Sequence, residues 1–200
     1  IRYFETQDAQ KAHEARQASG RSTHLRAGST LIAAIGNHWA VGAWESVKAM
    51  ADYSWKQGYE IGLYEEHDRC YAKSDALGTM RNLAYLRAMR EGWENLLYVD
   101  NDVLPPVDAL EKLLQNPVPV QSPIVTYLDG FDHGLSMPTM ERGRGLVMVS
   151  SCVLSFLLCE TKVFFPWWQG GFWRDAIGAD ETYHFAKLQA QGIRPFVDTN

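Results

Sequence analysis

The sequence predicts an α/β domain with a mainly parallel central sheet and flanking helices, plus an N-terminal helical arm. Three observations lead there. Short apolar runs at residues 31–35 (LIAAI), 59–64 (YEIGLY) and 96–99 (LLYV) have strand length. Helix-period segments follow the first two runs, and Gly58 and Gly92 close those segments. The resulting order of strand, helix, strand, helix, strand, helix calls for parallel strands joined by crossover helices.

The elements follow in chain order. Residues 5–19 (ETQDAQKAHEARQAS) are polar helix formers without an apolar stripe, so residues 1–28 read as an arm that buries little by itself. Residues 29–200 form the domain. The run 31–35 between Gly28 and Gly36 suits a buried first strand. Trp44, Val47, Ala51 and Trp55 make a helix face, and Leu77, Met80, Ala84 and Ala88 repeat its spacing after the second strand. Pro106 is expected to open a third helix reaching about Gln115, because proline suits a first helical turn. Ile1 opens the chain and Asn200 closes it directly after a strand-like run, so truncated ends are expected.

Composition narrows the function classes. The 200 residues are 46% hydrophobic and 22% charged, which fits one globular domain with a sizeable core. A net charge of -5 gives a polyanion no general surface, so no nucleic-acid binding is expected. Cys70, Cys152 and Cys159 form no CxxC pair, which points away from a disulfide scaffold and towards a reducing, cytoplasmic setting. The most apolar stretch, 146–158, is interrupted by serines and too short to cross a bilayer, and no signal-peptide pattern is read. The six histidines (13, 24, 38, 67, 133, 184) show no HxH or HxxxH spacing, so no zinc site is read; His184, on the helix of Glu181, is the one to watch.

The chemistry concentrates at Asp100-Asn101-Asp102, where the third strand ends. With twelve Asp in the chain, roughly 0.7 D-x-D tripeptides arise by chance, so position has to carry the argument. Ligands of open parallel sheets bind outside the carboxyl ends of the strands, and this pair stands at such an end. Hard carboxylate oxygens suit Mn²⁺ or Mg²⁺, which in turn suits a diphosphate. The other reading, a pair that only caps the turn before the next helix, stays open at this point.

Residues 81–114 (RNLAYLRAMREGWENLLYVDNDVLPPVDALEKLL) resemble the core of a GT-A-type nucleotide-sugar glycosyltransferase, a Rossmann-like fold. Residues 178–199 (GADETYHFAKLQAQGIRPFVDT) resemble the family's late segment, in which an acidic pair opens a helix that ends in glycine before a short strand. With the first strand and helix, the resemblance covers residues 30–200. It implies that Asp100 and Asp102 hold the metal and diphosphate, with Asp102 the direct ligand. It places Arg81 near the donor phosphates, although an exposed helix arginine is an equal reading. Asn101 and Asp68 fall where the family meets the nucleotide sugar; for Asp68 a solvated loop position stands beside that role. The resemblance makes Asp180 and Glu181 the pair that supplies the acceptor's base in inverting members. Glu181 stands eleven residues before Gly192, where the family often has Asp, so the choice between the two stays open. Both also suit a helix N-terminus as caps. The family often carries a further metal-binding His beyond its last strand, and the sequence offers no residue to match it. A UDP-sugar is the expected donor, and a carbohydrate or other hydroxyl compound the acceptor.

Residues 164–178 (FFPWWQGGFWRDAIG) add an aromatic segment with paired glycines. Trp167, Trp168 and Trp173 are read as acceptor-binding rings, whereas Phe164 and Phe165 read as core. Three rivals stand beside this reading. A dinucleotide oxidoreductase needs GxGxxG after the first strand, and AIGNHWAVG lacks it. A sugar-phosphate nucleotidyltransferase wants a basic glycine-rich loop there, and GNHWAVG has no Arg or Lys. A non-catalytic nucleotide- or carbohydrate-binding module of the same fold remains the alternative.

Overall fold

The computed structural model describes residues 28–36, 38–66, 76–126, 132–133, 142–163 and 180–200. The arm 1–27, Asp68, Trp167, Trp168 and Trp173 lie outside the described residues.

The three predicted repeats are present. Strand β1 (Thr30–Ile35) leads to helix α1 (Ala43–Lys56), β2 (Ile61–Glu66) to α2 (Ala76–Glu91), and β3 (Asn95–Asp100) to α3 (Ala109–Leu114). Strands β4 (Val120–Pro123), β5 (Val125–Thr126), β6 (Asp132–His133), β7 (Leu146–Met148) and β8 (Phe156–Glu160) come next. Helix α4 (Asp180–Ala190) and β9 (Phe196–Asp198) close the chain. Seven strands form one sheet in the order β2-β1-β3-β8-β4-β9-β7, and β5 pairs with β6 separately. Strands β1, β2, β3, β4 and β9 point the same way, while β8 and β7 oppose them. This is a GT-A-like α/β architecture.

Both sheet faces are covered, which explains the unbroken apolar runs. Along β1, Leu31, Ala33 and Ile35 belong to one buried cluster with Met80, Ala84 and Ala88 of α2, a cluster that extends to Phe185 and Leu188 of α4. Ile32 faces the other way, onto Val47 and Met50 of α1 and Leu110 of α3. Alternation along a strand therefore feeds two helical layers from one apolar string.

The glycine stops have a shared geometry. After α1, Gly58 N–H donates to Trp55 O and Tyr59 N–H reaches back to Ser54 O. After α2, Gly92 N–H donates to Met89 O and Trp93 N–H to Ala88 O. After α4, Gly192 and Ile193 repeat the pair onto Gln189 O and Leu188 O. This is the Schellman pattern, whose left-handed residue favours glycine. It also corrects the second strand, which begins at Ile61 and not at Tyr59, because Tyr59 N–H is spent on the cap.

The third helix is corrected too. It begins at Ala109 and not at Pro106. Ala109 N–H donates to Pro106 O across a turn, and Asp108, at φ -95 and ψ 4, is the cap residue. Pro106 therefore fixes the turn that precedes the helix.

Candidate active site

Strand order locates the site. The chain passes from β1 to β2 on one side and then crosses to β3 on the other, with α1 and α2 on opposite faces. The gap between β1 and β3 is thus a topological switch point, where open α/β sheets leave a crevice for ligands. The register aligns Ile35 with Asp100, so the loop after β1 and the Asp100–Asp102 turn flank that crevice.

The two aspartates differ sharply. Asp100 ends β3, and its N–H donates to Ser155 O. Its carboxylate receives Arg81 Nη2 at 2.9 Å on Oδ2 and 3.1 Å on Oδ1. The Arg81 side chain is only 2% exposed, which overturns the reading of an exposed helix arginine. α2 presents Arg81 to the sheet because it stands one position after buried Met80 and three before buried Ala84. Tyr98 Oη donates to Arg81 O at 2.7 Å and fixes that turn of the helix. Burial, with Cys159 adding to it, holds the Tyr98 phenol well above its ordinary range, so it stays a neutral donor. Asp102 lies in the turn, exposed, and its carboxylate has no partner among the described residues.

Asn101 turns to the loop after β1. Its Nδ2 donates to His38 O, and its main-chain O accepts Ala40 N–H at 2.9 Å. Gly36 makes room for it: a Cβ at Gly36 would stand 2.3 Å from Asn101 Cγ. Beside this contact, Trp39 Nε1 donates to Glu65 Oε1 at 2.9 Å, and the Trp39 and Trp44 rings lie 5.0 Å apart. None of these loop contacts was read from the sequence. Gly36 directly after a strand was the one signal that could have suggested a close backbone approach.

The divalent cation that the sequence resemblance implies would meet the following donor set. Among the described residues no three His, Cys, Asp or Glu side chains converge. Mg²⁺ and similar ions commonly use one or two carboxylates and complete their shell with water and substrate phosphates. The Asp102 carboxylate, exposed and without a partner among the described residues, fits that kind of site. Asp198 also lies at this edge of the sheet, but Asn116 Nδ2 and Asn200 N–H occupy its two oxygens.

Helix α4 starts at Asp180 with Glu181 next. Its end joins β9 through five residues, 191–195, so the helix runs back against β9 and opens towards the edge where β3 and β9 end. Nothing is described of the Asp180 and Glu181 side chains. A separate cavity of about 610 Å³ lies near the opposite edge, among Tyr85, Trp93, Asn95 and Thr161.

No protein-family model matches the chain, and no curated protein does. Solved structures do. A197 from STIV shares 13% identity at a TM-score of 0.54, over 84% of this chain and 80% of that one. GalNAc-T7, crystallised with UDP, GalNAc and Mn²⁺, shares 11% identity at a TM-score of 0.55. That match covers 89% of this chain and 43% of GalNAc-T7, so the chain spans less than half of that protein's length. Both likenesses are of fold, and the second is to a glycosyltransferase.

Proposed function

We propose that the chain is a metal-dependent glycosyltransferase that moves a sugar from a nucleoside-diphosphate sugar, with UDP the expected nucleotide, to a hydroxyl acceptor. The observation that carries the reading is the Asp100–Asp102 turn at the β1/β3 switch point, one carboxylate locked by Arg81 and the other exposed and without a partner among the described residues. The fold shared with GalNAc-T7, whose crystals held UDP and Mn²⁺, supports it.

In this reading Asp102 binds Mn²⁺ or Mg²⁺ directly. Arg81, itself buried, donates to both Asp100 oxygens and fixes that carboxylate at the end of β3. When bound, the cation supplies positive charge to the departing diphosphate. The loop after β1, beyond Ile35, takes the nucleotide with Asp68. Asp180 or Glu181 accepts the proton of the acceptor hydroxyl at the start of α4, and Trp167, Trp168 and Trp173 stack on the acceptor.

The test is turnover. Purified protein with Mn²⁺ is expected to hydrolyse or transfer from at least one UDP-sugar. Asp102→Asn is expected to abolish this, and Glu181→Gln or Asp180→Asn to lower it by about 10²–10⁴ with donor affinity kept. Metal-dependent UDP binding without any turnover across acceptors would leave the non-catalytic binding module. Parental turnover in both acidic variants would make Asp180 and Glu181 helix caps only.

A further inference from the structure

The middle residue of the aspartate turn holds the two walls of the crevice together. The Asn101 side chain donates to His38 O, and its main chain accepts from Ala40 N–H. Gly36, at φ +142, leaves the space that the Asn101 side chain fills. A little further out, Ser46 Oγ donates to Pro105 O at 2.6 Å, and Gly42 stands against Leu104. Five contacts thus join residues 36–46 to residues 101–105, across a gap that the sheet topology leaves open.

A rigid link here has a consequence. The loop after β1 lies on one side of the switch-point crevice and Asp102 on the other, so a ligand in the crevice meets both. Ordering either wall orders the other through Asn101. Two ligands that each need an ordered wall then favour one another, which is a coupling free energy.

We propose that Asn101 is a positioning residue that couples nucleotide binding at the loop after β1 to metal binding at Asp102. The proposal rests on the metal-dependent nucleotide site proposed above. Its role differs from direct contact with the nucleotide sugar, because the side-chain amide already spends one N–H on His38 O and is turned to the loop after β1.

The experiment is calorimetry of UDP binding with and without Mn²⁺, on the parent chain, Asn101→Ala and Asn101→Asp. The ratio of the two affinities measures coupling. In Asn101→Ala this ratio is expected to fall about fivefold or more, while the apo variant unfolds within a few degrees of the parent. Asn101→Asp keeps the shape and removes the donor, and its added charge alone would tighten the cation. A lower ratio there as well reports the link and not the charge. Hydrogen exchange at the Ala40 amide is expected to quicken in both variants, with no ligand present. A parental affinity ratio in Asn101→Ala overturns the proposal; should that variant fail to fold, a parental ratio in Asn101→Asp overturns it equally. A parent chain in which Mn²⁺ leaves UDP affinity unchanged would instead remove the metal-dependent site on which the proposal rests.

Discussion

At Asp100 and Asp102 identical side chains meet opposite environments, and their substitutions should separate accordingly. Asp102 is exposed and unpartnered among the described residues, so Asp102→Asn is expected to leave the melting temperature unchanged while metal-dependent nucleotide binding is lost. Asp100→Ala removes a carboxylate from a guanidinium that is 2% exposed, and denaturant unfolding is expected to register up to about 3–5 kcal/mol. Tyr98 adds a pH dependence. Its phenol is raised in the folded state relative to the unfolded chain, so its contribution is complete below about pH 10 and is lost as pH rises further. Tyr98→Phe should flatten that alkaline loss and cost about 0.5–1.5 kcal/mol at neutral pH, for the bond to Arg81 O. The position of the D-x-D pair was legible because a strand end is a local feature. The Arg81 clamp was not, since a helix and a strand nineteen residues apart meet only after packing.

The elements divide by the range of their signals. Glycine stops at 58 and 92 were legible because a Schellman cap lies within six consecutive residues. The same holds for the two-sided apolar strands β1 and β3. In the other half of the sheet only the run that forms β9 was read, and β4, β7 and β8 were not assigned. β8 lies between β3 and β4, antiparallel to both, and β4 carries Pro123 and a buried Gln121. Gln121 is tolerated because its amide donates to Leu113 O and accepts from Asn116, a pattern visible only in the folded chain. Within β2, Gly62 gives Trp93 its place: a Cβ there would stand 2.5 Å from the indole. Gly62→Ala is therefore expected to destabilise by about 1–3 kcal/mol in chemical unfolding, and Trp93 fluorescence should shift as the ring moves.

For the whole molecule, the expected α/β class with a mainly parallel sheet is the architecture found, with β8 and β7 as the opposing strands. The likeness to A197 from STIV and to GalNAc-T7 at 13% and 11% identity is of that architecture. The proposed function rests on the crevice between β1 and β3, and ligand-dependent stability interrogates that crevice without presuming acceptor or reaction. The direct measurement is thermal unfolding across a panel of nucleoside diphosphates and nucleotide sugars, each with and without Mn²⁺. A ligand at a hundred times its dissociation constant adds about 2.7 kcal/mol, or roughly 5–10 °C for a chain of this size. A metal-dependent site at Asp102 predicts such a shift for UDP or a UDP-sugar with Mn²⁺, a much smaller one without the metal, and none in Asp102→Asn. Equal shifts with and without Mn²⁺, or an undiminished shift in Asp102→Asn, would contradict it.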